Sequence, residues 1–239
     1  MNTIKFNKKN TLVVAHRGLS GIETENTNAA FVAAGNRSYY GIETDIRRTA
    51  DGDFIVSHDR TLLRVGGVDV NVEESKVEDL QKIRLLDKDE SYARADLRPT
   101  TLENYIAICK KYEKHCVLEL KSVFTDEETV AYIEKIKKYD YLENVTFISF
   151  YYDNLLKIRK LCPDQSAQFL FMEFTDEIIE NVKRDKLDVD VYHKALNEEI
   201  IKSLHECGIK VNAWTVDDPE RAEKLASFGI DFITSNILE

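Results

Sequence analysis

The 239-residue chain has no closely paired cysteines, no apolar stretch of membrane-spanning length and no surplus of positive charge. Each absence excludes something. Cys109, Cys116, Cys162 and Cys207 lie too far apart for the short paired spacings of zinc sites and redox motifs, so they are read as buried, reduced thiols. The run "TLVVA" before His16 is shorter than the apolar region of a signal peptide, and no later segment is long enough to span a bilayer. A cytoplasmic protein without a membrane segment is expected. Acidic side chains number 43 against 33 basic ones, and the net charge of −10 repels nucleic acid and anionic membranes at long range. The expected partner is a small molecule, and any anion must be met by a local positive cluster.

Against this background, short β-branched or aromatic runs alternate with helix-like segments. "TLVVAH", "YGIETDIRR", "HCVLELK", "NVTFISF", "SAQFLF", "DVDVYH", "KVNAWTV" and "DFITSN" read as eight strands. Between them Leu102, Tyr105, Ile106, Cys109 and Tyr112 keep a three-four spacing, as do Ile200, Leu204 and Cys207, with Gly208 suited to a helix end. Eight strand-then-helix units at this length predict a (β/α)₈ TIM barrel, with the last helix missing or very short. One stretch breaks the rhythm: from about residue 60 to 98 the chain is polar and lacks alternation, and Pro99 marks a boundary before the next helix. It is read as an insertion over one barrel mouth within a single domain covering 1–239.

The chemistry concentrates in "GIETDIRRTADGDFIVSHD". Strand alternation places Ile42, Thr44 and Ile46 on one face and Glu43, Asp45 and Arg47 on the other. If the apolar face meets the helices, Glu43 and Asp45 point into the barrel, where two carboxylates repel and lose hydration. "ELK" adds Glu119 and Lys121 to the interior from another strand. Three inward carboxylates suit one hard divalent cation, Mg²⁺ or Ca²⁺; the alternative is a buried network neutralised by Lys121, Arg17 and Arg47 without metal. Asp51-Gly52 predicts a two-residue hairpin turn whose register would set Asp45 opposite His58. His16, at the end of the first strand, belongs at the same rim, because groups at strand C-termini gather there. Two histidines beside Arg17 and Lys121 fit acid–base chemistry on an anion. Trp214, paired by alternation with Asn212, either walls the substrate or fills the barrel. His115 and His205 look ordinary, and His193 could reach the mouth.

The order of "AHRG", "ENTNAAF", "GIETDIRRTADGDFIVSHD", "PTTLEN", "LELK", "ISF", "VNAWTV" and "GIDFITSN" resembles the glycerophosphodiester phosphodiesterase family over nearly the whole chain. The resemblance implies a TIM barrel with a small insertion after the second strand, and metal-dependent hydrolysis of glycerophosphodiesters to glycerol 3-phosphate and an alcohol. It implies His16 and His58 as acid/base residues, Glu43, Asp45 and Glu119 as metal ligands, and Arg17 and Lys121 as phosphate binders. Two departures stand out: Thr24 replaces the proline usual before "ENT", which would loosen that loop, and "TSNIL" replaces the family's aspartate and proline near the C-terminus. Two rival readings remain, a lysophospholipase D-like activity on lipids and a non-catalytic barrel that binds glycerophosphodiesters.

Overall fold

Strands and helices alternate along residues 2–239, the part of the chain that the computed structural model describes. In order they are β1 (Leu12–Ala15), α1 (Asn28–Gly35), β2 (Gly41–Arg48), β3 (Phe54–Val56), α2 (Leu63–Gly66), α3 (Val77–Leu80), α4 (Leu102–Lys111), β4 (His115–Leu120), α5 (Asp126–Lys137), β5 (Val145–Ser149) and α6 (Tyr152–Leu161). There follow β6 (Ser166–Phe171), α7 (Asp176–Arg184), β7 (Asp188–Tyr192), α8 (Glu198–Glu206), β8 (Val211–Trp214), α9 (Pro219–Ser227) and β9 (Phe232–Ser235). Eight of the strands are parallel and close on themselves through β1, which bonds both β9 and β2. The architecture is a TIM barrel. Past β9 the described chain forms no helix; Leu238 instead bridges to Ile4.

Alternation divides the apolar side chains into two cores. Cys116, Leu118 and Leu120 of β4 face outward with Ile42 and Ile46 of β2 and pack against helix residues such as Phe31 and Tyr105. Val14, Val117, Ile148 and Leu170 form a smaller cluster inside the barrel, with Tyr40 and Trp214 against it. Fully burying such a side chain contributes roughly 1.5–3 kcal/mol. The outer core is therefore the frame that can hold unfavourable groups at the mouth. Cys109 and Cys116 are buried as expected, whereas Cys162 is half-buried and Cys207 exposed, because each sits at a helix C-terminus rather than on its apolar stripe; all four are free.

The hairpin differs from its expected form by one residue. Arg48 lies opposite Phe54, Arg47 opposite Ile55 and Ile46 opposite Val56. Asp45 therefore faces Ser57, whose N–H donates to the Asp45 carbonyl, and not His58. The cause is the turn. A two-residue type I′ turn needs positive φ at both central residues, but here Gly52 alone has it (φ 77°), giving a three-residue loop with Gly in the left-handed position. His58 reaches the mouth by another route: the chain leaves β3, and Arg47 donates from Nε and Nη2 to the His58 carbonyl.

Residues 60–98 carry α2, α3 and a single 3₁₀ turn, and bury Leu62, Val72 and Leu80 against Ile55. This segment grips the loop between β1 and α1: Thr24 Oγ1 donates to the Leu86 carbonyl at 2.8 Å, and Lys88 Nζ to the Ser20 carbonyl at 2.8 Å. Thr24 thus ties the loop down where a proline, lacking that hydroxyl, could not.

Candidate active site

The β1–α1 loop enters the mouth in an unusual conformation. Arg17 has φ 54° and Gly18 φ 75°, and a Cβ on Gly18 would meet Ala30 at 2.7 Å, so "RG" is the pairing this bend accepts. Left-handed backbone at a non-glycine residue costs about 1–3 kcal/mol and persists where surroundings hold it. Here the Arg17 N–H donates to Glu43 Oε2 at 2.8 Å and the Asn26 N–H to the Arg17 carbonyl at 2.9 Å. The bend turns the Arg17 guanidinium onto the carboxylates, with Nε 3.2 Å from Asp45 and Nη1 donating to Glu25 at 2.9 Å.

Glu43 and Asp45 of β2 and Glu119 of β4 are all buried, and a ligand oxygen from each lies within 4.8 Å of the others. Asp45 and Glu119 are direct neighbours in register, which explains their approach. Lys121 Nζ stands 2.9 Å from Glu119 and 3.6 Å from Asp45. Arg47, a possible third neutralising group by sequence, instead pairs with Glu73 at 2.9 Å. Burial, then repulsion from Asp45 and Glu119, drives the Glu43 carboxyl well above its usual range. Burial and Asp45 likewise raise Glu119 to about 7 against the pull of Lys121. Burial would raise Asp45 too, but Arg17, Lys121 and His58 outweigh it and hold it ionised. Its Oδ1 is nonetheless buried without a hydrogen-bond partner. Two cationic side chains therefore leave the three acids short of positive charge.

Both histidines line the pocket with Arg17, Lys121 and Trp214. His16 Nδ1 lies 2.8 Å from Asn236 Oδ1. Asn236 Nδ2 donates to Asp217 at 2.6 Å, which fixes the amide so that its oxygen faces the ring. His16 must then carry its proton on Nδ1, leaving Nε2, 3.9 Å from Glu43, as the unprotonated nitrogen. Burial, helped by Arg17, lowers the His16 pKa to about 4. His58 Nδ1 lies 2.7 Å from the Asp59 carboxylate, which Arg64 holds at 2.6 Å. Burial lowers His58 as well, but Asp45 and Asp59 oppose that shift.

All eight sequence-identified residues reach this mouth. His115 does not: it begins β4 at the other end of the barrel, bonding Thr146 and stacking on Tyr40. His205 pairs with Asp231, and His193 lies outside the pocket lining. Sequence reasoning missed Asn236, Asp217, Asp59 and Arg64, which position the rings; only the position of Asp59 directly after His58 could have hinted at them. It also missed Asp190, a buried acid in the pocket wall.

Comparison with known proteins points to one family. Residues 16–238 match the model of the glycerophosphoryl diester phosphodiesterase family. The chain is 28% identical to a glycerophosphodiester phosphodiesterase of Caldanaerobacter subterraneus, covering 95% of this chain and 94% of that protein. It is 30% identical to YhdW of Bacillus subtilis, covering 94% and 93%. Among solved structures, a phosphodiesterase of Oleispira antarctica in complex with sn-glycerol-3-phosphate superposes with TM-score 0.87 at 24% identity, over 98% of this chain and 96% of that one. A glycerophosphodiester phosphodiesterase of Thermotoga maritima gives 0.76 at 27% identity, over 95% and 94%.

Proposed function

The chain belongs to the glycerophosphoryl diester phosphodiesterase family, and from that premise we propose that it hydrolyses glycerophosphodiesters to glycerol 3-phosphate and an alcohol with one divalent cation and two histidines. The observation that carries this reading is the convergence of Glu43, Asp45 and Glu119 within 4.8 Å, inside a pocket walled by His16, His58, Arg17 and Lys121. An all-oxygen set with three acids and an unpartnered Asp45 oxygen fits Mg²⁺ or Ca²⁺. When bound, such an ion withdraws charge from a phosphoryl oxygen.

The chain's own residues do the rest. Arg17 and Lys121 hold the remaining phosphoryl oxygens and stabilise charge that builds on them. His16, neutral with its Nε2 lone pair free, takes the proton from the nucleophile, either water or the neighbouring glycerol hydroxyl. His58, backed by a carboxylate that favours its charged form, gives a proton to the departing alcohol oxygen as the P–O bond breaks. Trp214, with its indole N–H donating to the Asp190 carbonyl at 3.2 Å, is a fixed wall for the substrate.

The test is a metal-supplemented panel of glycerophosphodiesters read by release of glycerol 3-phosphate. Turnover should vanish on chelation and return with Mg²⁺ or Ca²⁺. Full activity in chelator, or no activity on any glycerophosphodiester with metal present, would overturn the proposal. A second reading, hydrolysis of lysolipids, draws support from Phe150, Tyr151 and Met172, which are exposed on the loops after β5 and β6, with Phe150 edge-on to Trp214. Among the described residues no helix is long and apolar enough to cross a membrane. Comparing a micellar lysolipid with a water-soluble diester separates the two readings.

A further inference from the structure

One side chain in the pocket serves neither the fold nor the chemistry described above. Asp190, on β7, is 1% exposed, yet its Oδ1 has no hydrogen-bond partner. It is not part of the carboxylate cluster of Glu43, Asp45 and Glu119. The neighbouring inward-facing polar groups satisfy one another instead: Asn212 Nδ2 donates to Gln168 at 3.2 Å, and Thr234 Oγ1 donates to Asn212 at 3.2 Å. A buried carboxyl without a partner is destabilising, so a fold with no use for it would do better with an apolar residue there. Burial, then repulsion from Glu119, also raises its pKa well above the usual range.

Asp190 lines the same pocket as the histidines, level with Leu170 on the neighbouring strand and beside Trp214, whose indole N–H donates to the Asp190 carbonyl. A phosphodiester anchored by its phosphate has two arms. One is the glycerol common to every substrate; the other is a variable alcohol. A carboxyl left without a partner, among apolar residues and polar neighbours such as Thr234 that are already bonded to others, suits the constant arm and leaves the variable one to the open mouth.

We propose that Asp190 determines specificity for glycerol by hydrogen-bonding the terminal hydroxyl, the one farthest from the phosphate. This rests on the phosphodiesterase reading given above. A site built to bond a hydroxyl discriminates strongly against the analogue that lacks it, because its own polar group is then left unpaired.

The experiment compares the metal-loaded wild type with Asp190→Val and Asp190→Asn on glycerophosphocholine and on its propane-1,2-diol analogue, which lacks only the terminal hydroxyl. Wild type should prefer glycerophosphocholine by about 10- to 100-fold in kcat/KM, the range of one strong hydrogen bond. Asp190→Val should lose that preference chiefly through KM, at unchanged or higher Tm, while Asp190→Asn, which can still bond a hydroxyl, should retain most of it. Equal losses on both substrates, a drop in Tm with Asp190→Val, or weakened Mg²⁺ binding in Asp190→Asn would overturn the inference. If wild type cleaves neither substrate, the reading of the family activity fails first; if it cleaves both without preference, this inference alone fails.

Discussion

The two histidines at the mouth are the same side chain in two different settings. His16 ends a barrel strand and rests on a neutral amide, itself clamped by Asp217, which also accepts from the Ser235 hydroxyl at 2.9 Å and the Asn236 N–H at 2.8 Å. His58 lies beyond a short antiparallel strand and rests on a carboxylate, half-exposed and held by Arg64. An amide oxygen accepts from either charge state without strongly favouring the cation, whereas a carboxylate favours imidazolium. In the proposed mechanism, what stands behind each ring would divide base from acid, with the support of more hydrogen bonds behind the proposed base.

The largest effect should come from removing each ring and varying the leaving group. With an alkyl alcohol as leaving group, His16→Ala and His58→Ala should each lower kcat by about 10²- to 10⁴-fold, the usual contribution of a positioned acid or base. With p-nitrophenol, a leaving group that departs without protonation, His58→Ala should recover most of its rate and His16→Ala should not. Parallel losses on both substrates would erase the distinction between the rings.

The residues that line the pocket around the carboxylates were legible in the sequence, and those that hold them were not. Strict alternation along β2 and β4 makes Glu43, Asp45 and Glu119 readable, since a carboxylate in a barrel strand has only two directions to face. Glycine content signalled a turn at Asp51-Gly52, but not that a single positive φ would make it one residue longer, and the expected pairing of His58 slipped accordingly. Asn236 and Asp217 come together from the ends of adjacent strands, a contact set by barrel closure. Asp190 was hidden because nothing in "DVDVY" sets its carboxylate apart from any polar residue in a strand. Its lack of a partner is visible only when every neighbour is in place.

A smaller effect should separate the supports. Asn236→Leu removes the acceptor for the His16 Nδ1 proton, so the ring can adopt the other tautomer. We expect kcat to fall by about 10- to 100-fold with KM nearly constant, on the scale of one misplaced catalytic contact, and ¹⁵N spectra of the His16 ring to show mixed tautomers. Asp59→Asn acts differently. The carboxylate favours the protonated ring, so its loss lowers the His58 pKa, and the required imidazolium disappears earlier as pH rises. The basic limb of the pH–rate profile should move to lower pH, and only modestly because the pair is partly exposed. A basic limb left in place would mean that His58 is not the acid.

The smallest effect should come from Arg64→Ala, which tests whether the two supports differ in rigidity. Arg64 bonds Glu25 at 2.7 Å and Asp59 at 2.6 Å, and Glu25 in turn bonds Arg17, so one guanidinium links Arg17 to the support of His58. The geometry resembles a network, but the Arg64 side chain is 49% exposed. Exposed ion pairs contribute about 0–1 kcal/mol and weaken with salt. Arg64→Ala should therefore lower stability by no more than about 1 kcal/mol and change kcat only a few-fold, with the difference from wild type shrinking as salt is added. A loss as deep as that of Asn236→Leu, persisting at high salt, would show that His58 is held as firmly as His16. The acid would then owe its role to position alone, because a solvent-screened carboxylate could not be what distinguishes it.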